Sequence, residues 1–168
     1  SYTGKLALKL LQVRPISSYS SEREVNFDEL QNSLRTRYVT AGKALGNGFI
    51  NGVSHIVLIS PESFDSSRTW EMADELADIN NDFKASGEGY ILIGPGRWGS
   101  SDPNLGIPVV WSDISEARMI VECSIPGFQV EPSQGTHFFQ NITSLGVGYL
   151  SVDMISGDGS VDFHALES

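Results

Sequence analysis

Apolar residues come in short blocks broken by glycine, proline and polar clusters, and one longer stretch repeats at helical spacing. Residues 5–13, "KLALKLLQV", read as a strand that Arg14-Pro15 ends, because Pro15 lacks an N–H and biases Arg14 toward extended backbone. Leu6, Leu8, Leu10, Gln12 and Arg14 fall on one face of it, and Ala7, Lys9, Leu11 and Val13 on the other. Leucine on both faces marks a strand meant to be covered, and a lone strand needs a sheet to join. The pattern is expected of a chain that starts inside a larger protein. The polar run 17–24, "SSYSSERE", predicts a linker. A short helix over 29–37 follows, capped by Asn26 or Asp28, with Phe27, Leu30 and Leu34 on one face.

The glycine-rich stretch "GKALGNGFINGV" predicts short strands around turns at Asn47-Gly48 and Asn51-Gly52. "SHIVLI" (54–59) predicts a short, buried strand. The clearest helix runs from Asp65 to Phe83, capped by Ser66 or Ser67. Trp70, Ala73, Leu76, Ala77, Asn80 and Phe83 form its apolar stripe, and Glu71, Asp74, Glu75 and Asp78 its solvated face. Extended segments follow at 90–93, 106–111, 117–125 and 147–153. Ser133 is placed to cap a helical turn over "QGTHFFQNITSL" that buries Phe138, Ile142 and Leu145. The tail "GDGSVDFHALES" fits a hairpin arm or a frayed end.

With 168 residues, 40% hydrophobic and 19% charged, the chain has the material for a packed core and the length for one domain or one and a half. A formal net charge of −10 argues against nucleic acid or an anionic membrane as a general partner, while a local basic pocket stays possible. Cys123 is the only cysteine, which rules out a disulfide framework within the chain or a thiolate metal cluster and fits a reducing, cytoplasmic setting. No apolar stretch approaches the length of a membrane-spanning helix.

The chemistry concentrates in "GPGRWG", Gly94 to Gly99, which follows the strand-like "YILI" and matches G-x-G-x-x-G. A dinucleotide turn needs a helix directly after its third glycine, and Pro103, Gly106 and Pro108 forbid a long one here. A P-loop needs lysine where Ser100 stands, and the kinase motifs V-A-I-K and D-F-G are absent. Two readings stay open. In one, Arg97 and the backbone N–H groups of Gly96, Gly99 and Ser100 cradle a small anion. In the other, the loop is a wide turn in which Arg97 pairs with Asp102 or Asp113 and Trp98 packs on the core. His137, in "SQGTHFFQN", has the chemistry to carry a phosphoryl group, act as a base or bind metal, or simply to hydrogen-bond a neighbouring loop. Serine, histidine and aspartate are all present, but no G-x-S-x-G elbow supports nucleophilic hydrolysis.

The segment "LLQVRPI" resembles the end of the ATP-grasp domain in phosphoenolpyruvate synthases and pyruvate phosphate dikinases, where a late strand carries Q-x-R-P. The resemblance implies a place for Gln12 at the catalytic magnesium and for Arg14 at the nucleotide phosphates. Both side chains share one strand face, and an arginine suits phosphate as an amide oxygen suits a hard cation; two solvated polar residues on an edge strand would look the same. From about Lys43 to Asp153, "ALGNG", "IGPGRWGSSDP", "LGIPV", "DIS", "VE", "PSQGTHFFQN" and "GVGY" resemble the C-terminal region of large bacterial proteins similar to phosphoenolpyruvate synthase. The family's phospho-accepting histidine sits in G-G-x-T-x-H before a G-I-P-A stretch. Here Gly106-Ile107-Pro108-Val109 precedes Thr136-His137, so a phosphohistidine role for His137 rests on a faint echo.

The expected fold is α/β: a compact mixed β-sheet domain with one principal helix, preceded by the last strand of an ATP-grasp module. The expected division is that strand at 1–16, a linker at 17–25, the C-terminal α/β domain at 26–154 and a tail at 155–168. The resemblance implies ATP-dependent phosphoryl transfer in the parent protein, with Mg2+ and ATP as its cofactors and the upstream ATP-grasp domain as this region's partner. The isolated region is expected to be inactive and to hold at most a small anion. The alternative is a non-catalytic ligand-binding or docking module attached to an upstream kinase-like domain.

Overall fold

The computed structural model describes residues 38–45, 50–129, 131, 133, 138, 142 and 145–167. The expected ATP-grasp strand, linker and first helix lie outside these residues. In chain order the described strands are β1 (Val39–Ala41), β2 (Lys43–Leu45), β3 (Val53–Leu58), β4 (Gly89–Pro95), β5 (Arg97–Trp98), β6 (Gly106–Ile107), β7 (Ala117–Ser124), β8 (Gly148–Asp153) and β9 (Gly159–Val161). The principal helix, α1, spans Thr69–Ser86, and a short helix, α2, spans Phe163–Glu167. The fold is mixed α/β.

The main sheet has the order β2-β8-β7-β4-β3. The pairs β3–β4, β4–β7 and β7–β8 are parallel, and β2 closes one edge antiparallel to β8. β4 and β7 read as nearly continuous apolar runs because both faces of the sheet are covered. On one face, Tyr90, Leu92, Ile120 and Tyr149 pack with Ala73 and Leu76 of α1, with Trp98, and with Phe138 and Ile142. On the other, Ile93, Val121, Cys123 and Val152 pack with Val161 and against Phe163 and Leu166 of the tail. The tail is built into the fold, since β9 pairs antiparallel with β1.

Several local expectations are corrected. Asp65, not a serine, opens the helical region: its carboxylate accepts from the Ser67 N–H at 2.9 Å, and a 3-10 turn over Ser66–Arg68 precedes α1. A carboxylate there also suits the partial positive charge of a helix start. Trp70 is 59% exposed, one position off the stripe that Thr69, Ala73, Leu76 and Asn80 bury. Residues 54–59 were expected to be a buried strand, but β3 lies at a sheet edge with Ser54, His55 and Ile56 exposed. Of 106–111 only Gly106–Ile107 is strand, and a 3-10 turn covers Trp111–Ile114. Leu145 is exposed.

Asn80 is the one amide inside the helix stripe, and the structure explains it. Its Nδ2 donates to Ser112 O at 3.1 Å and Ser115 Oγ at 3.2 Å. Its Oδ1 accepts from Tyr90 Oη at 3.0 Å and Glu116 N–H at 2.9 Å. A buried amide with every donor and acceptor met fixes how α1 sits on the sheet.

Candidate functional site at Glu122

Glu122 stands on β7 at an inward position of the helix-side face, 4% exposed, between Gly94 of β4 and Ser151 of β8. Four donors converge on its carboxylate. Oε1 accepts from the Trp98 N–H at 3.1 Å and from the Ser133 hydroxyl. Oε2 accepts from the Ser133 N–H at 2.9 Å and from Tyr149 Oη at 2.6 Å. Burial pushes the carboxyl's pKa up, and the bonds from Ser133, Tyr149 and Trp98 oppose that rise. Burial, with the Glu122 carboxylate close by, raises the Tyr149 phenol.

The glycine loop closes around this carboxylate. Gly94 lets the chain turn back on itself, since a Cβ there would stand 2.8 Å from the Trp98 ring. Gly96 has φ +74° and lies so near Phe128 and Leu105 O that a Cβ would meet them at 2.5 and 2.9 Å. Trp98 is 1% exposed, and its Nε1–H donates to Val121 O at 3.3 Å. β5 then pairs in parallel with β6, and no helix follows the third glycine. Gly96→Ala is therefore expected to cost about 2–3 kcal/mol, combining left-handed backbone strain with a forced shift of Phe128. A lowered urea midpoint at unchanged m-value would check this.

The donors expected to cradle an anion mostly face protein acceptors. Gly96 N–H donates to Cys123 O at 2.9 Å, Arg97 N–H to Leu105 O at 2.8 Å and Gly99 N–H to Ile107 O at 2.8 Å. Ser100 Oγ donates to Asp102 O at 3.2 Å. In the wide-turn reading Arg97 pairs with Asp102 or Asp113. Its Nε instead donates to the backbone carbonyl of Glu131, with the Glu131 carboxylate 3.9 Å from Nη2. Asp113 caps its own turn by accepting from Val110 N–H, and Asp102 accepts from Asn104.

The Ser133 hydroxyl and N–H both donate to Glu122, and the N–H groups it was expected to cap lie outside the described residues. Phe138 sits against Gly99. The glycine loop, through Trp98, and the distant Ser133 thus meet over one carboxylate. His137, Gln12 and Arg14 lie outside the described residues. His55 is on the exposed edge strand and His164 is exposed in α2, so neither joins this site. Among the described residues no three His, Cys, Asp or Glu side chains gather as a metal site.

Sequence reasoning passed over Glu122. The signal was one charged residue inside an otherwise apolar strand, "ARMIVECSI", where a buried acid needs dedicated donors. Trp98, Ser133 and Tyr149 supply them. No family model, curated protein or solved structure matches this chain.

Proposed function

We propose that the chain is the C-terminal module of an ATP-dependent phosphotransferase resembling phosphoenolpyruvate synthase, working in the cytoplasm, and that this module docks or assembles rather than catalyses. Mg2+ and ATP belong to the upstream ATP-grasp domain, toward which Gln12 would face the metal and Arg14 the nucleotide phosphates. The sequence resemblance supports the family. The observation that carries the non-catalytic role is the inward commitment of the glycine loop. Its Gly96, Arg97, Trp98 and Gly99 amides and the Arg97 Nε all donate to protein acceptors. Phosphate sites need such donors converging on open space. Phosphoryl transfer also needs a full set of positioning groups and metal ligands, which Gln12 and Arg14 alone do not supply.

Two observations test this. Incubated with ATP, Mg2+ and pyruvate, the isolated chain should release no phosphate and form no phosphoenolpyruvate above background. Turnover that Arg14→Ala abolishes would overturn the non-catalytic reading. The coding sequence upstream of Ser1 should encode an ATP-grasp domain, and an unrelated domain there would overturn the family.

A further inference from the structure

We propose that the open edge of β3, with the groove between it and α1, is a docking surface for an extended partner strand carrying alternate apolar side chains and basic residues. Among the described strands β3 has a neighbour on one side only, β4. Its outer N–H and C=O groups form a ready template for another strand. Past an irregular register between Val53 and His55 the edge is little protected: "VSHIVL" contains no lysine and no proline, and Ile56 is 47% exposed. Val57, like its register partner Leu92, packs on the helix side of the sheet.

The helix reaches past this edge. While Ala73, Leu76 and Asn80 bury against the sheet, Met72, Leu76 and Ile79 line a groove of about 310 Å³ with Val57 and Leu58. A strand added beside β3 would lie about 4.8 Å from it, and every second side chain would enter this groove. Charge selects the occupant. Glu71 and Glu75 also line the groove with Arg68, and Arg68 is held by Glu71 at 2.6 Å. Glu75 also feels the Arg68 charge, so two carboxylates share one guanidinium and the rim stays net negative. A second copy of a chain with net charge −10 is a poor fit to an acidic rim unless it presents its basic "KLALK" segment, the case that concentrating the chain alone tests.

The inference rests on the docking reading of the chain, and the two fail separately. Catalytic turnover counts against that reading, and loss of strand binding counts against this surface alone.

The test is an amide NMR titration of the full 168-residue chain with the blocked peptide Lys-Val-Arg-Val-Lys-Val. Its acidic counterpart, Glu-Val-Glu-Val-Glu-Val, and a version of the basic peptide N-methylated at alternate residues serve as controls. Saturable shifts are expected across 53–58 and 71–79 with the basic peptide. Ile56→Lys, at an exposed position, should weaken binding at least about tenfold while leaving distant resonances in place. Glu75→Gln should weaken it about threefold and reduce its salt dependence. The proposal is overturned by absent or misplaced shifts, or by equal binding of the acidic or N-methylated peptide. It is equally overturned if β3 shifts appear on concentrating the chain alone, which would assign the edge to a second copy.

Discussion

Replacing Glu122 with alanine is expected to lower the unfolding free energy by about 3–5 kcal/mol, because each buried donor left without an acceptor costs about 1–3 kcal/mol. The groups that lose this acceptor are the Trp98 and Ser133 N–H, the Ser133 hydroxyl and Tyr149 Oη. Against a typical domain stability of about 5–15 kcal/mol, that is a large share. Glutamine should not rescue fully. Each carboxylate oxygen receives one backbone N–H that cannot rotate away, so the glutamine NH2 must face a fixed donor in either orientation. Glu122→Gln should therefore still cost about 1–3 kcal/mol.

The carboxylate also gives a signed pH dependence. Burial raises the folded-state pKa of Glu122 above the ordinary 4.5. The folded protein then holds this proton more tightly than the unfolded chain. Its contribution is fully present below about pH 4.5 and is lost as pH rises through the folded value. Asp65, Glu71 and Asp153 run the opposite way: hydrogen bonds lower their pKa values, so they stabilise above the ordinary carboxylate range and fail as pH falls. Among the described carboxylates a decline in stability above pH 4.5 is thus the signature of Glu122, and denaturant unfolding at stepped pH should show it in the wild type and reduced in Glu122→Gln.

Trp98→Ala should be of similar weight, about 3–5 kcal/mol, as a fully buried aromatic removed from a packed core. Trp98→Phe should cost less, since it keeps most of the contact over Gly94 and loses the Nε1–H bond to Val121 O. Cys123 provides the readout. It lies 1% exposed on the opposite face of β7, with burial pushing its thiol up to about 12. Native protein should resist thiol reagents at neutral pH, so labelling reports opening. Trp98→Ala should accelerate it by about 10² to 4 × 10³, the stability loss at tenfold per 1.4 kcal/mol. Combined with Glu122→Gln the effects should fall short of additive, because the Trp98 N–H is one of the carboxylate's donors.

Periodicity made the helix and the parallel strands legible. Asn80 was assigned to the stripe, although its reason for burial lies in Ser112, Ser115, Tyr90 and Glu116, which no local pattern connects to it. Trp70 was misplaced by one position because a large apolar residue draws the stripe toward itself, whereas α1 buries the smaller Thr69 and Ala73. β3 and β4 look alike in sequence, and only the sheet order makes one an edge and the other a centre. At the site, motif logic rejected a dinucleotide turn and left open whether the loop cradles an anion or is a wide turn with Trp98 on the core. It did not find Glu122, because a carboxylate met by four donors from three distant segments is visible only once the chain is folded.

The central claim is that the glycine loop clasps Glu122 and holds no nucleotide. The most direct measurement is an amide NMR titration of the whole chain with ATP, NAD, phosphoenolpyruvate and inorganic phosphate, followed at residues 94–100. The account predicts no saturable shift with ATP or NAD, and slow hydrogen exchange at the Trp98 amide throughout. Tight binding of either nucleotide, with shifts centred on Gly94 to Gly99, would contradict it.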